Sequence, residues 1–379
     1  MKPAQILEYF QNRQTNALEA IGEIVELESP SFNVEGSRAV AMWIEDKMRG
    51  IPLDLEIERI AATGIGEHLL IRAFPADKSP VLLLGHTDTV HPIGTKLQNP
   101  TRIEGDRFYG CGIFDMKANI ILMLEALRFF AETGIKPSRP ITILLSCDEE
   151  SGSCTGRALV ERESRNAEVC FVLEPSAAGR VKSGRKGTGM FTVKARGIPA
   201  HSGLEPEKGA SAILELSRQI EKIHALNNIS EGTTVNVCTV QGGTTTNVIP
   251  ENAECSVDVR FSTMGEAVRI ESEIRNLSAF DERVSLEILG GVNRPPMERT
   301  DAVVSLYEKA KQAAASFDYE LGETQVGGAS DGNFVAALGV PVLDGLGITG
   351  DGAHTLEEHI LVSDIAKRAT LLALMPISQ

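Results

Sequence analysis

Three runs of apolar and β-branched residues constrain this chain more than anything else in it: Val81-Leu-Leu-Leu84, Ile141-Thr-Ile-Leu-Leu145 and Val169-Cys-Phe-Val-Leu173. None alternates with polar residues, so each has the profile of a strand covered on both faces, as in a parallel sheet between helices. Each also runs into chemistry. The first leads to His86-Thr-Asp88, the second to Asp148-Glu149-Glu150 and a glycine turn, and the third to Glu174 before Pro175. Open α/β sheets gather ligands at the carboxyl ends of their strands. Alone, an Asp-Glu-Glu turn is a solvated loop and a strand-end histidine is a hydrogen-bonded rim residue. Adjacent acids repel one another, however, and a cation would give them a reason to stay together.

At 379 residues and 42% apolar content the chain suits two domains with real cores. It holds no apolar run of about eighteen residues, so no membrane span is expected. The polar, amphipathic start Met1-Lys-Pro-Ala-Gln-Ile-Leu lacks the pattern of a signal peptide, which points to a cytoplasmic protein. A net charge of −15 argues against nucleic acid or an anionic membrane as partner. The six cysteines, with no Cys-x-x-Cys pair, read as reduced, buried small residues. The basic run Arg180-Val-Lys-Ser-Gly-Arg-Lys186 reads as a solvated connector.

Helical spacing of apolar residues predicts a helix within 4–28 and another over 34–49, followed by strands at 67–74 and 80–85. Asp115 stands just before Ile120-Ile-Leu-Met-Leu-Glu-Ala-Leu-Arg-Phe-Phe130, a run apolar almost all round and therefore a buried helix, for which Asp115 could be simply the cap. From residue 187 the texture changes to alternation broken by helical patterns near 207–224 and 265–278. That strand-helix-strand-strand-helix-strand order predicts a small ferredoxin-like α+β domain over 187–297, inserted into an α/β domain of 1–186 and 298–379 built on a doubly wound mixed sheet. A helix at 300–316, a strand at 340–344 and a closing helix at 361–374 complete it. Gly345-Leu-Gly-Ile-Thr-Gly350 fits G-x-G-x-x-G, but no long helix follows, so it is chance or a flexible approach to His354.

His86, Asp115, Glu150, Glu174 and His354 each end a strand or open a helix of what reads as one sheet. Two imidazoles and three carboxylates suit a pair of borderline cations such as zinc, with one carboxylate shared. Their charge of about −3 against +4 leaves the site able to take an anion.

Around these residues the chain resembles the co-catalytic zinc peptidases and amidohydrolases that include glutamate carboxypeptidase, acetylornithine deacetylase and succinyl-diaminopimelate desuccinylase. The matching segments are Gly85-His-Thr-Asp-Thr89, Gly110-Cys-Gly-Ile-Phe-Asp-Met-Lys117, Asp148-Glu-Glu-Ser-Gly152, Leu173-Glu-Pro175, Gly197-Ile-Pro-Ala-His-Ser202, Asn247-Val-Ile-Pro250, Asp258-Val-Arg260, Gly327-Gly-Ala-Ser-Asp331 and Ala353-His354. They follow the family's order through most of the chain. Cys111, where relatives often carry Arg, and Ala118-Asn119, where Gly often follows the Lys, depart from the pattern.

The resemblance implies two Zn2+ per subunit, replaceable by Co2+ or Mn2+. Asp115 would bridge them, His86 and Glu174 would hold one, and Glu150 and His354 the other. Asp88 would orient His86, and Glu149 would be the general base toward a shared water. The inserted domain would be a lid and homodimer interface from which His201 reaches the partner's site as an oxyanion donor. Asn247, Arg260 and Gly328 would contact the substrate, and Arg294 an acidic side chain of it. The implied reaction is hydrolysis of an amide next to a free carboxylate, on a small peptide or N-acyl amino acid, closest to glutamate carboxypeptidase. An acetylornithine or succinyl-diaminopimelate type of deacylase and a di- or tripeptidase remain alternatives, and a catalytically silent binding module is the rival from another class.

Overall fold

In the computed structural model, which describes residues 1–376, the chain divides into two compact units: Arg185–Glu298 with Val326–Ala329, and the remainder. The larger unit is built on a six-stranded mixed sheet in the order Glu56–Ala62, Gly66–Ala73, Ile141–Ser146, Val81–His86, Val169–Val172, Val342–Leu343. The last four run parallel and the first two pair antiparallel at one edge. All three runs singled out in the sequence are central strands, and every residue of them is buried. Burial on both faces fixes their register: His86 pairs with Ser146, and Leu84 with Val172. The segments carrying Asp88, Glu149, Glu150 and Glu174 therefore emerge side by side at one end of the sheet.

Helix Ala118–Thr133 packs into the core of this unit with ten consecutive buried residues, Ala118 to Leu127, and then Phe129 and Phe130. Burying one such side chain is worth about 1.5–3 kcal/mol. Two helices, Pro3–Asn12 and Gln14–Val25, stand where the 4–28 pattern predicts one. Arg13 breaks the run, with φ −100° and ψ 3°, because its guanidinium turns inward to Glu125, Nε lying 2.6 Å from Oε2. The strand Glu56–Ala62 escapes the pattern altogether. It is a largely solvated edge, and its charged residues Glu56, Glu58 and Arg59 discourage further pairing.

Two other expectations need correction. Val181–Arg185, read as a solvated connector, is a strand with all five residues buried. Among the cysteines, Cys111, Cys147, Cys170 and Cys255 are buried and unbridged as expected, but Cys154 and Cys238 are exposed.

The smaller unit is a four-stranded antiparallel sheet in the order Thr234–Gly242, Asn252–Phe261, Gly187–Arg196, Ser285–Arg294, with helices Ala212–His224 and Met264–Arg275. Phe191, Val193, Ala195, Val257 and Val259 alternate with more exposed residues and form one core with Leu216, Ile223, Ile270 and Ile274. Both helices are capped, Ser211 accepting from the Leu214 amide and Thr263 from that of Glu266. Among the described residues no helix is long and apolar enough to cross a membrane.

Candidate metal centre

The Asp115 carboxylate lies between two imidazoles. Its Oδ1 is 3.1 Å from His86 Nε2 and its Oδ2 is 3.4 Å from His354 Nε2. Glu174 Oε1 approaches His86 Nε2 at 3.4 Å, and Glu150 Oε2 approaches His354 Nε2 at 3.3 Å. Residues from five separate segments thus meet in one cluster.

Asp115 does not cap the following helix, whose first flanking residue is Lys117; it sits in an irregular turn, Ile113–Lys117, that turns its side chain toward the imidazoles. Gly112 opens that turn at φ +68°, where a side chain would be strained and would collide with Thr89 Cγ2. His354 departs from the expected single sheet. It lies in the loop between Gly350–Asp351 and His359–Leu361, which pair in a separate small sheet, and it holds a left-handed φ of +66°. A non-glycine residue there is strained, as functional residues often are.

The three consecutive acids part company. Asp148 is fully buried and takes the amide protons of Thr155 and Gly156, opening helix Gly156–Ser164. Glu149 presents an oxygen within 4.8 Å of donors of His86 and Glu174, while Glu150 turns to His354. Asp88 braces that turn: Oδ1 accepts from the Glu149 amide at 3.1 Å, and Oδ2 from the Glu150 amide at 3.2 Å and from Ser31 Oγ at 2.6 Å. The expected pairing of Asp88 with His86 is therefore mostly through the backbone. His86 Nδ1 is 2.9 Å from the Asp88 carbonyl oxygen and 3.5 Å from the carboxylate, so the shorter contact fixes the ring, leaving Nε2 toward Asp115.

The electrostatics favour positive charge at this place. Burial works against a charged His86, yet Asp115, Asp88 and Glu174 outweigh it and hold the imidazole well above its usual value. Hydrogen bonds to Asp115 and Glu150 raise His354 to about 10. Asp115 is buried, which alone would raise it, but the two histidines hold it far below the ordinary carboxylate range. Burial raises Glu150, with His354 opposing. Glu150 Oε1 is buried with no hydrogen-bond partner among the described residues, a position open to a ligand. Imidazole nitrogens and carboxylates this close, gathering protons where cations would sit, fit divalent ions of borderline softness.

Gly345–Gly350 is no flexible approach. The amides of Leu346 and Gly347 bond to the carbonyls of Val172 and Glu174, and a methyl group on Gly347 would come within 2.5 Å of Asn119 and 2.6 Å of the Glu174 carbonyl oxygen. Asn119, one of the departures from the family pattern, bonds through its side chain to the Phe114 carbonyl and the Ile348 amide.

The remaining expected site residues lie in the smaller unit. His201 is exposed, and its Nδ1 accepts the amide protons of Gly203 and Leu204, each at 3.2 Å; the neutral ring then carries its own proton on Nε2. Asn247 is exposed, and its carbonyl accepts from the Ser202 amide at 3.0 Å. Arg260 is engaged with Asp258, Nε to Oδ1 at 3.0 Å and Nη2 to Oδ2 at 2.9 Å. Arg294 ends its strand buried, at 6% exposure, and the exposed Gly328 accepts from Arg185 Nη1. Sequence reasoning missed Ser31, His91 and Glu358. Their partners are distant in the chain, 57 residues away for Ser31 and 267 for His91, so nothing local marks them.

Comparison with known proteins makes the chain a hydrolase of the metallopeptidase and amidohydrolase class, with which the cluster agrees. The model of peptidase family M20/M25/M40 matches residues 82–377, and the chain belongs to that family. It is 26% identical over 374 residues to carboxypeptidase G2 of Pseudomonas sp. (strain RS-16), spanning 96% of this chain and 89% of that one. It is 30% identical over 310 residues to succinyl-diaminopimelate desuccinylase of Verminephrobacter eiseniae (strain EF01-2), spanning 75% of each. Its fold matches aminopeptidase PepT from Bacillus cereus ATCC 10987 with a TM-score of 0.79 at 24% identity, over 97% of this chain and 99% of that one.

Proposed function

We propose that this chain is a dizinc hydrolase that cleaves an amide bond next to a free carboxylate, on a C-terminal peptide or an N-acyl amino acid, as glutamate carboxypeptidase does. The observation that carries this reading is the Asp115 carboxylate between two imidazoles, one flanked by Glu174 and the other by Glu150. Similarity to carboxypeptidase G2 over nearly the whole chain supports it. Asp115 is assigned as the shared ligand, His86 and Glu174 as the ligands of one ion, and Glu150 and His354 as those of the other.

Two divalent ions, when bound, lower the pKa of a shared water and polarise the carbonyl to be attacked. The side chains supply the rest. Glu149 takes the proton of the attacking water and delivers it to the leaving amine, a role worth about 10²–10⁴ in rate. Asp88 keeps Glu149 on target by holding its amide. His201 is assigned to the developing oxyanion in the site of a partner subunit, in a homodimer formed through 187–297, and its Nε2 proton suits that task. Asn247 and Arg260 are assigned to the substrate carboxylate, Gly328 to contact with the substrate, and Arg294 to an acidic substrate side chain.

Similarity to a succinyl-diaminopimelate desuccinylase at 30% identity favours a second reading, an N-acyl deacylase using the same residues. Turnover of an acyl-glutamate, N-acetyl-ornithine and N-succinyl-diaminopimelate by the zinc-loaded protein separates the two. Preference for the acyl-glutamate is expected, preference for the succinyl substrate would select the deacylase, and no hydrolysis of any of them would reject both.

A further inference from the structure

Glu358 is fully buried, yet nothing in the reaction as described uses it. Its carboxylate is surrounded by donors. Oε1 accepts the amide protons of Phe114 and Asp115, each at 2.9 Å; Oε2 accepts that of Gly112 at 2.8 Å and the Nε2 proton of His91 at 2.6 Å. The backbone carbonyl of Glu358 accepts from Gly110 at 3.2 Å, and the next residue, His359, pairs with Tyr109. The buried Lys117 ammonium adds a favourable charge. A buried carboxylate is costly unless its lone pairs are filled, and here one carboxylate takes four hydrogen bonds.

What those bonds join matters more than their number. Glu358 lies four residues after His354, His91 lies five after His86, and the Gly112–Asp115 turn carries Asp115. One side chain therefore ties together three of the segments that supply the cluster. Two of its bonds fall on the amides of Asp115 itself and of its neighbour Phe114. Its own neighbour Glu357 is exposed and shares none of the contacts made by the Glu358 carboxylate.

We propose that Glu358 is a positioning residue for the metal centre: by clamping the 112–115 turn to the loop of His354 and to His91, it sets the Asp115 carboxylate between the two imidazoles. This rests on the metal-centre reading above. Groups that orient the ligands of a metal typically contribute about 10–100-fold in metal affinity. Replacement by Gln keeps the size but sets an NH2 group against backbone N–H donors, so the clamp opens on one side.

The test is titration of the metal-free full-length chain with Co2+ alone, against a competing chelator, following the ligand-field absorption. The wild type is expected to take up two ions. Glu358→Gln, with its thermal transition retained, is expected to bind them about 10–100-fold more weakly and with altered bands, while Glu357→Gln matches the wild type. Should Glu358→Gln not fold, His91→Gln keeps the three amide bonds and is expected to lose affinity by a smaller factor. Wild-type affinity and bands in whichever of these two variants folds would overturn the positioning role. A wild-type chain that takes up no Co2+ would instead defeat the metal-centre reading itself.

Discussion

Glu150 Oε2 lies 3.3 Å from His354 Nε2, and the other oxygen of the same carboxylate is buried with no hydrogen-bond partner among the described residues. In the metal-free protein that contact holds a proton on His354, raised to about 10 by Asp115 and Glu150. A metal needs the neutral ring. Zinc binding near neutral pH is therefore expected to release protons, and affinity to rise with pH up to about 10. Calorimetry in buffers of different ionisation enthalpy measures the release; a binding enthalpy independent of buffer would contradict it.

The same shift sets the sign for stability without metal. His354 has a folded value above its unfolded one, so its contribution is fully present below about 6.5 and is lost as pH rises through about 10. Chelated protein is expected to lose melting temperature across that window, and zinc-loaded protein to lose less. Parallel melting curves against pH for the two forms would count against the assignment.

Glu149→Gln is expected to lower kcat by about 10²–10⁴ while leaving the bound metal at two ions per chain. Turnover within a few-fold of the wild type would remove Glu149 as the base. Loss of metal together with activity would recast it as a ligand, an outcome its position within 4.8 Å of donors of His86 and Glu174 makes worth measuring.

Asp258 now occupies the Nε and Nη2 side of the Arg260 fork, so that side meets a substrate carboxylate only once Asp258 is given up. Arg260→Ala is expected to raise KM for an acyl-glutamate by about 10–100-fold, the range of a charge-assisted hydrogen bond. Asp258→Asn, which releases the guanidinium, is expected to lower KM. Indifference of KM to both substitutions would free Arg260 of the role.

Gly347→Ala tests the close packing behind Glu174. The added methyl meets a backbone oxygen that cannot swing away, so a loss of about 1–3 kcal/mol is expected. A denaturation midpoint equal to that of the wild type would show that the segment yields.

Where the sequence made the centre legible, the signals were local. An apolar run bounded by His86, by Glu149-Glu150 or by Glu174 names a buried strand end, and burial on both faces leaves parallel neighbours little choice of register. Asp115 was harder to place, because a cap and a ligand look alike before a helix. His354 could be named as a histidine after a strand but not placed, since its loop belongs to a separate small sheet whose pairing with Arg107–Tyr109 is remote in the chain. Glu357 and Glu358 are identical in type and adjacent, yet one is solvated and the other fully buried. No periodicity separates them, because the donors that fill Glu358 come from residues 91 and 112–115. Arg13 and the 181–185 strand escaped for a similar reason: a charged residue reads as solvated until its buried partner is known.

Under the proposed function, His86, Asp115, Glu150, Glu174 and His354 hold two divalent ions without which no amide is cleaved. Stepwise addition of zinc to chelated protein, following acyl-glutamate hydrolysis, is the decisive measurement. Activity rising from zero to a plateau at two equivalents per chain is the expected result, and full activity in protein shown by elemental analysis to be free of metal would contradict it.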